Sequence, residues 1–353
     1  MAQPALGIVS SAIVIAVSLS LIALWDFDTA VGWGSWVLMC MIPMQLVVGV
    51  AWGANPGFAA KLAQPLKGAV LTLICAASAG VMAPLYLQWA GGGQLLPHVI
   101  LATITSVIYT FTLTIMFGGW PFSLVQNQLV SGLLLWAGAL SLNFALTRWW
   151  FDFGFLVGTP VYQPALDPGG WFHAEAATVF HVTYICGMFL LLHFDLWPLR
   201  RFPAVMQQPV LGIVWVVLSL FLGAILYGLG VQLLGWTPMG FLIRGPVPFI
   251  FGTIIVLNML HNSLFAKLEQ PAKGLANTGA ALLIGNGLAY LYRLLSPLVT
   301  GPMAEGPPTS DFERWLASAL LGVTFPLLIF YAEFFKMWPL VGESRHAQGA
   351  AAR

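Results

Sequence analysis

Ten stretches of this chain are near-continuous apolar runs of about 20 residues, the length a helix needs to cross a bilayer hydrocarbon core of about 30 Å. They fall near Ala5 to Leu24, Val31 to Trp52, Gly68 to Leu87, Val99 to Gly119, Leu129 to Thr147, Ala174 to Leu196, Val210 to Leu234, Pro248 to Leu264, Gly274 to Leu291 and Leu316 to Phe335. A membrane β-barrel is excluded, because its strands would alternate apolar and polar residues over about ten positions rather than run on unbroken. The expected fold class is an all-α integral membrane protein of about ten transmembrane helices. Composition agrees, with 7% charged residues against about 25% in an ordinary soluble domain. The 13 Lys+Arg and 12 Asp+Glu leave no basic surface, so the lipid bilayer is a partner and nucleic acid is not. Cys40, Cys75 and Cys186 all lie inside apolar runs, where they read as small hydrophobes rather than a disulfide or metal framework.

The cations set an expected orientation. One side of the ten spans carries Lys61, Lys67, Arg200, Arg201, Lys267, Lys273, Lys336, Arg345 and Arg353, and the other only Arg148, Arg244, Arg293 and Arg314. Nine against four places both termini in the cytoplasm by the positive-inside rule, with a bacterial inner membrane as the expected location. Most tryptophans sit at span ends, as interfacial anchors do. No basic residue precedes the first apolar run, which reads as a retained span rather than a cleaved signal.

The chain also repeats itself. Lys61-Leu62-Ala63-Gln64-Pro65-Leu66-Lys67-Gly68 returns as Lys267-Leu268-Glu269-Gln270-Pro271-Ala272-Lys273-Gly274, with six identities in eight positions. The core QPxxG recurs at Gln3-Pro4-Ala5-Leu6-Gly7 and at Gln208-Pro209-Val210-Leu211-Gly212, with a degenerate copy at Gln128-Leu129-Val130-Ser131-Gly132. These copies open the five odd-numbered spans, at intervals of 61, 64, 80 and 62 residues. Four even spans exit alike, at Asn55-Pro56, Trp120-Pro121, Trp197-Pro198 and Trp338-Pro339. Proline is tolerated in a first helical turn, glutamine can satisfy exposed backbone groups there, and glycine allows close helix contact. Gln163-Pro164 in an outer loop shows that the dipeptide alone also occurs by chance. The repeating unit is a helical hairpin over about residues 3–56, 64–121, 128–198, 208–263 and 270–339 of one domain, 1–342, with a cytoplasmic tail at 343–353. All copies face one way, so the expected arrangement is five parallel repeats, possible as a quasi-five-fold ring. Plant guard-cell anion channels are built on such a ring, an architectural analogy only, since none of that family's local motifs is in this chain.

Ionisable groups at membrane depth are candidates for function by their cost alone. His181, near Thr178 and Tyr184, reads either as a neutral interhelical hydrogen-bond partner or as a proton, metal or substrate group. His193, with Asp195, and His261, with Asn262, lie at matched depth at the ends of spans six and eight. They are the pair that a bis-His haem would need. Glu333 is placed a turn or more inside span ten, as a proton-coupling carboxylate or as an intrahelical partner of Lys336. Thr103, Ser106, Thr110 and Thr114 form one stripe on span four, able to line a polar path or to hold helices together. Pro43 and Pro326 are matched mid-span prolines, and Arg244 is assigned to an external loop ending at Gly245-Pro246-Val247-Pro248. His173 and Glu175 make an HxE without a third metal ligand.

The chain has no Walker A loop, no HExxH and no GxSxG, which removes the corresponding ATPase, zincin and hydrolase chemistries. The leading reading is a transporter or channel for a small solute or ion, with His181, Glu333, Thr103, Ser106 and Thr110 as candidates and no cofactor expected. One alternative is a membrane redox enzyme holding haem or metal at His193 and His261, or a lipid-modifying enzyme. Another is a structural subunit, with partner subunits or further copies of itself. Gln64, Pro65, Gly68, Gln208, Pro209, Gly212, Gln270, Pro271 and Gly274 are assigned to scaffold.

Overall fold

A computed structural model describes residues 1–341; the expected tail at 343–353, with Arg345 and Arg353, lies outside the described residues. Among the described residues, ten helices are long and apolar enough to cross a membrane: α1 (Ala5–Ile22), α2 (Phe27–Ala51), α3 (Leu66–Gly91), α4 (Pro97–Met116), α5 (Gln128–Trp150), α6 (Ala174–His193), α7 (Val210–Leu233), α8 (Pro238–Met259), α9 (Ala272–Val299) and α10 (Asp311–Phe334). This is the build of a multi-pass membrane protein. The strand content of the described residues is one parallel pair, β1 (Phe151–Asp152) with β2 (Phe172–His173), tying down the long loop after α5.

Nine of the ten starts lie within about five residues of the apolar-run reading, and α8 departs from it. It begins at Pro238, ten residues before the expected Pro248, because Thr237 caps the first turn through Gly240 N–H and Pro238 occupies a position with no N–H to lose. The Gly245-Pro246-Val247-Pro248 run restarts the helix instead of starting it. Arg244 is therefore helical rather than in a loop, with its guanidinium 5.4 Å from the Trp236 ring centroid.

Burial separates the helices into two sets. In the most apolar window of α1, α3, α5, α7 and α9, between 22% and 44% of residues are buried inside the protein, against 61% to 83% for α2, α4, α6, α8 and α10. The odd helices expose side chains such as Leu73, Leu133, Phe221 and Leu283 outward, as the lipid-facing side of a membrane protein does. The even helices touch one another in sequence, α2 with α4, α4 with α6, α6 with α8 and α8 with α10, and α10 returns to α2. Each odd helix packs against even ones from outside, α3 on α2, α5 on α4, α7 on α6, α9 on α8 and α1 on α10.

Each even helix ends in two residues of positive φ: Gly53-Ala54, Gly118-Gly119, Asp195-Leu196, His261-Asn262 and Lys336-Met337. The carbonyls before such an ending lack helical partners, and the Gln-Pro turns supply one. Gln3 donates through Nε2 to Met259 O, Gln64 to Phe334 O, Gln208 to Met116 O and Gln270 to His193 O, at 2.6 to 3.0 Å. Gln128 reaches Ala51 O at a longer 3.3 Å. Every accepting residue stands two before its left-handed pair. In the four Gln-Pro copies the same side chain accepts, through Oε1, the N–H of Gly7, Gly68, Gly212 or Gly274. One amide thus clasps the start of an outer helix to the end of an inner one. At the degenerate copy Asn127 does the capping, accepting from Leu129 and Val130 N–H.

Candidate functional site

A cavity of about 130 Å³ lies between the even helices. Met39 and Ile42 of α2, Ile104, Val107 and Phe111 of α4, Val182 and Ile185 of α6, Val247 and Ile250 of α8, and Leu321 and Phe325 of α10 line it, with Ser318. No charged side chain contributes to this wall. Its lining extends from the end of the molecule that carries the long loops to mid-span. There Phe111 meets Phe189 and Phe325, with ring centroids 5.6 and 6.3 Å apart, making an aromatic floor toward the end that carries the Gln-Pro turns. Apolar residues recur on the inward face of each even helix, and Ser318 is the polar side chain among the lining residues.

The hydroxyl stripe does not line the cavity. Thr103, Ser106, Thr110 and Thr114 return their hydroxyls to carbonyls of their own helix, at Val99, Thr103, Ser106 and Thr110. Thr103 also accepts from the buried Trp36 Nε1 of α2 at 2.9 Å, so at that position the stripe joins helices.

His181 sits between α4 and α6, also off the cavity wall. Its Nδ1 lies 2.6 Å from Ala177 O, which can only accept, so Nδ1 carries the proton. Nε2 then accepts from Tyr109 O–H at 2.9 Å, and both ring nitrogens are satisfied. His193 Nε2 pairs with Thr253 Oγ1 at 3.0 Å. His261 is exposed within its left-handed pair, eight residues beyond Thr253 and so about 12 Å further along the helix direction. The matched depth expected of these two imidazoles is not how their side chains are placed.

Glu333 stands in the last turn of α10, shallower than expected. Its oxygens take Lys336 Nζ at 3.1 Å and, across to α8, Asn258 Nδ2 at 3.1 Å. The glycines of the Gln-Pro turns face neighbouring side chains or backbone: a Cβ added at Gly68 or Gly274 would lie 2.6 Å from the ring of Phe335 or Phe194. At Gly212 it would meet Phe117, and at Gly7 the Met259 carbonyl. His173 stacks on Phe155 at 4.3 Å and caps Ala176 N–H. Among the described residues no group of three or more His, Cys, Asp or Glu is placed to hold a metal.

Asp195 follows α6 and binds both Gln270 Nε2 and Lys273 Nζ, at 2.9 and 3.1 Å. Partial burial raises its pKa, but the bonds from Gln270 and Lys273 and the Lys273 charge outweigh burial and hold it below the ordinary 3.8. A carboxyl with a lowered folded pKa adds stability above its unfolded value and loses it as pH falls through the folded one. Asp195→Asn is therefore expected to lower the melting temperature in detergent near neutral pH. The gap from the parent should close as pH drops below 3.8, and a gap independent of pH would mean the contact is not ionic.

Several buried polar groups have no counterpart in the sequence reading, Gln45, His98 and Asn143 among them. Gln45, buried in α2, donates to Pro326 O of α10 at 2.8 Å. His98, buried in the first turn of α4, stacks on Phe153 at 4.0 Å. A lone histidine after a proline carries no spacing that marks it, and Phe153 belongs to a distant loop. Family models, curated proteins and solved structures provide no match to this chain.

Proposed function

We propose that the protein is a channel or transporter conducting a small uncharged solute along the axis between its even helices. The observation that carries this reading is the cavity, lined by all five even helices and by none of the odd ones. An ion would shed hydration against a wall without charge. A small polar solute of low lipid permeability has more to gain from such a path than an apolar one, which crosses the bilayer unaided. A wall whose polar side chain is Ser318 alone holds the solute weakly and lets it leave.

Five parallel hairpins in a quasi-five-fold ring account for the arrangement. The even helices contact one another in chain order and α10 returns to α2. Each glutamine clasp joins a hairpin to the one two places back around that circle, in all five instances. The clasp end holds Lys61, Lys67, Arg200, Arg201, Lys267, Lys273 and Lys336, which supports its facing the cytoplasm, and the helical rather than barrel build suits a bacterial inner membrane.

In this reading the aromatic floor is the closed gate. Phe111→Ala is expected to raise the swelling rate of proteoliposomes in urea, glycerol or formamide gradients at least several-fold, measured by stopped-flow light scattering, while potassium and chloride fluxes stay at the level of empty vesicles. A folded Phe111→Ala variant with no gain over the parent for any of the three solutes would defeat the reading. Ion flux larger than solute flux would move the assignment to a charged cargo.

A further inference from the structure

A second space lies at the loop end, away from the axis. His98 of α4, Thr147 and Arg148 at the end of α5, Trp89 of α3, and Phe153 and Leu166 of the long loop line about 50 Å³. His98 is 2% exposed and neither of its ring nitrogens has a hydrogen-bond partner in the protein. Among the described residues it is the one buried imidazole of which that is true. Burial of a polar group without a partner is costly, and native structures rarely leave one so. The second observation is the charge beside it, since the exposed Arg148 side chain borders the same space.

We infer that this space is a binding site for a small free carboxylate-class oxyanion, held between the His98 imidazole and the Arg148 guanidinium. A planar oxyanion offers one oxygen to each, and a guanidinium fork suits that geometry. Size limits the ligand: at 10–15 Å³ for a water-sized group, 50 Å³ admits roughly three to five heavy atoms, the range of formate, bicarbonate and acetate.

The acidic neighbours of the site are turned to other work. Asp167, whose charge is felt at His98, accepts from Phe153 N–H, Gly169 N–H and Tyr162 O–H. Asp152 accepts from Gly154 N–H. These bonds, with the β1–β2 pair and Gly170 N–H to Phe151 O, fix the loop wall before any ligand arrives, so little ordering is left to binding.

The test is a ligand-observed NMR titration of the purified full chain in detergent with acetate and with benzoate, at constant ionic strength set by sodium chloride. Acetate is expected to bind saturably and benzoate, at nine heavy atoms, not to bind. Arg148→Gln, at an exposed position that leaves the fold intact, should weaken acetate at least tenfold, and His98→Phe should remove the saturable phase. Leu166→Trp fills the space with both polar groups retained and should also abolish binding. The inference is overturned by a linear acetate titration, which means water alone fills the space, by equal binding of acetate and benzoate, or by an Arg148→Gln variant of unchanged affinity.

Discussion

Gly285→Leu is expected to destabilise the protein more than a leucine at Gly68, Gly212 or Gly274 of the Gln-Pro turns. The reason is the nature of the neighbour. A Cβ at Gly285 would overlap the Pro248 carbonyl, and one at Gly252 the Ala281 carbonyl, so α8 and α9 cross with backbone against backbone. Small residues at such crossings let helices approach closely in lipid. At Gly68 or Gly274 the obstacle is a phenylalanine ring, which can turn aside. Overpacking that side chains can absorb costs about 1 to 3 kcal/mol. With a backbone carbonyl in the way the helices must separate, and the cost should reach about 3 kcal/mol or more. The smaller change Gly285→Ala keeps the comparison measurable, and its melting temperature in detergent should fall further than that of Gly68→Ala. Equal melting of the two alanine variants would show that α8 and α9 do not meet so closely.

Replacing the clasp glutamines by leucine should divide them into four and one. Gln3, Gln64, Gln208 and Gln270 each satisfy a helix-end carbonyl and a glycine N–H at once. Removing one leaves two backbone groups without partners at a part-buried junction, a loss of about 2 kcal/mol or more at about 1–3 kcal/mol for each orphaned group. Gln128 is different because its donor bond is long, it is exposed, and Asn127 already caps the turn. Gln128→Leu should cost about 0.5 kcal/mol, within the range of ordinary surface changes. Thermal unfolding of the five variants checks this. If Gln128→Leu melts as low as the others, the amide bonds are not what holds these junctions.

Much of this architecture is legible in the sequence because a membrane span is set by run length, and run length is local. The exception shows the limit. The Gly245–Pro248 run resembles a boundary, yet prolines are harmless in a helical first turn, and only the contacts of α8 reveal that the helix had already begun at Pro238. The Gln-Pro motif is visible as a pattern while its partners are not, since Gln3 and Met259 lie 256 residues apart. The hydroxyl stripe on α4 is equally visible, but which way it faces depends on the inward Ile104, Val107 and Phe111 belonging to the cavity wall. Glu333 is expected a turn or more inside span ten, yet it lies only two residues before the end of the apolar run at Phe335 and one before the end of the helix at Phe334, so its shallow place is already in the run's own boundary. His98 leaves no trace because its environment is built by a loop more than fifty residues away.

The direction of the clasps also bears on how the protein is made. Gln128, Gln208 and Gln270 reach back to helices that have already left the ribosome when their own hairpin emerges. Gln3 and Gln64 reach forward, to the ends of α8 and α10. These two junctions must therefore stay open after their own helices enter the bilayer, until α8 and α10 have been made. Completion of α10 supplies the last acceptor, Phe334 O, for a glutamine synthesised 270 residues earlier. Insertion can proceed helix by helix, but closure of the molecule has to wait for α10.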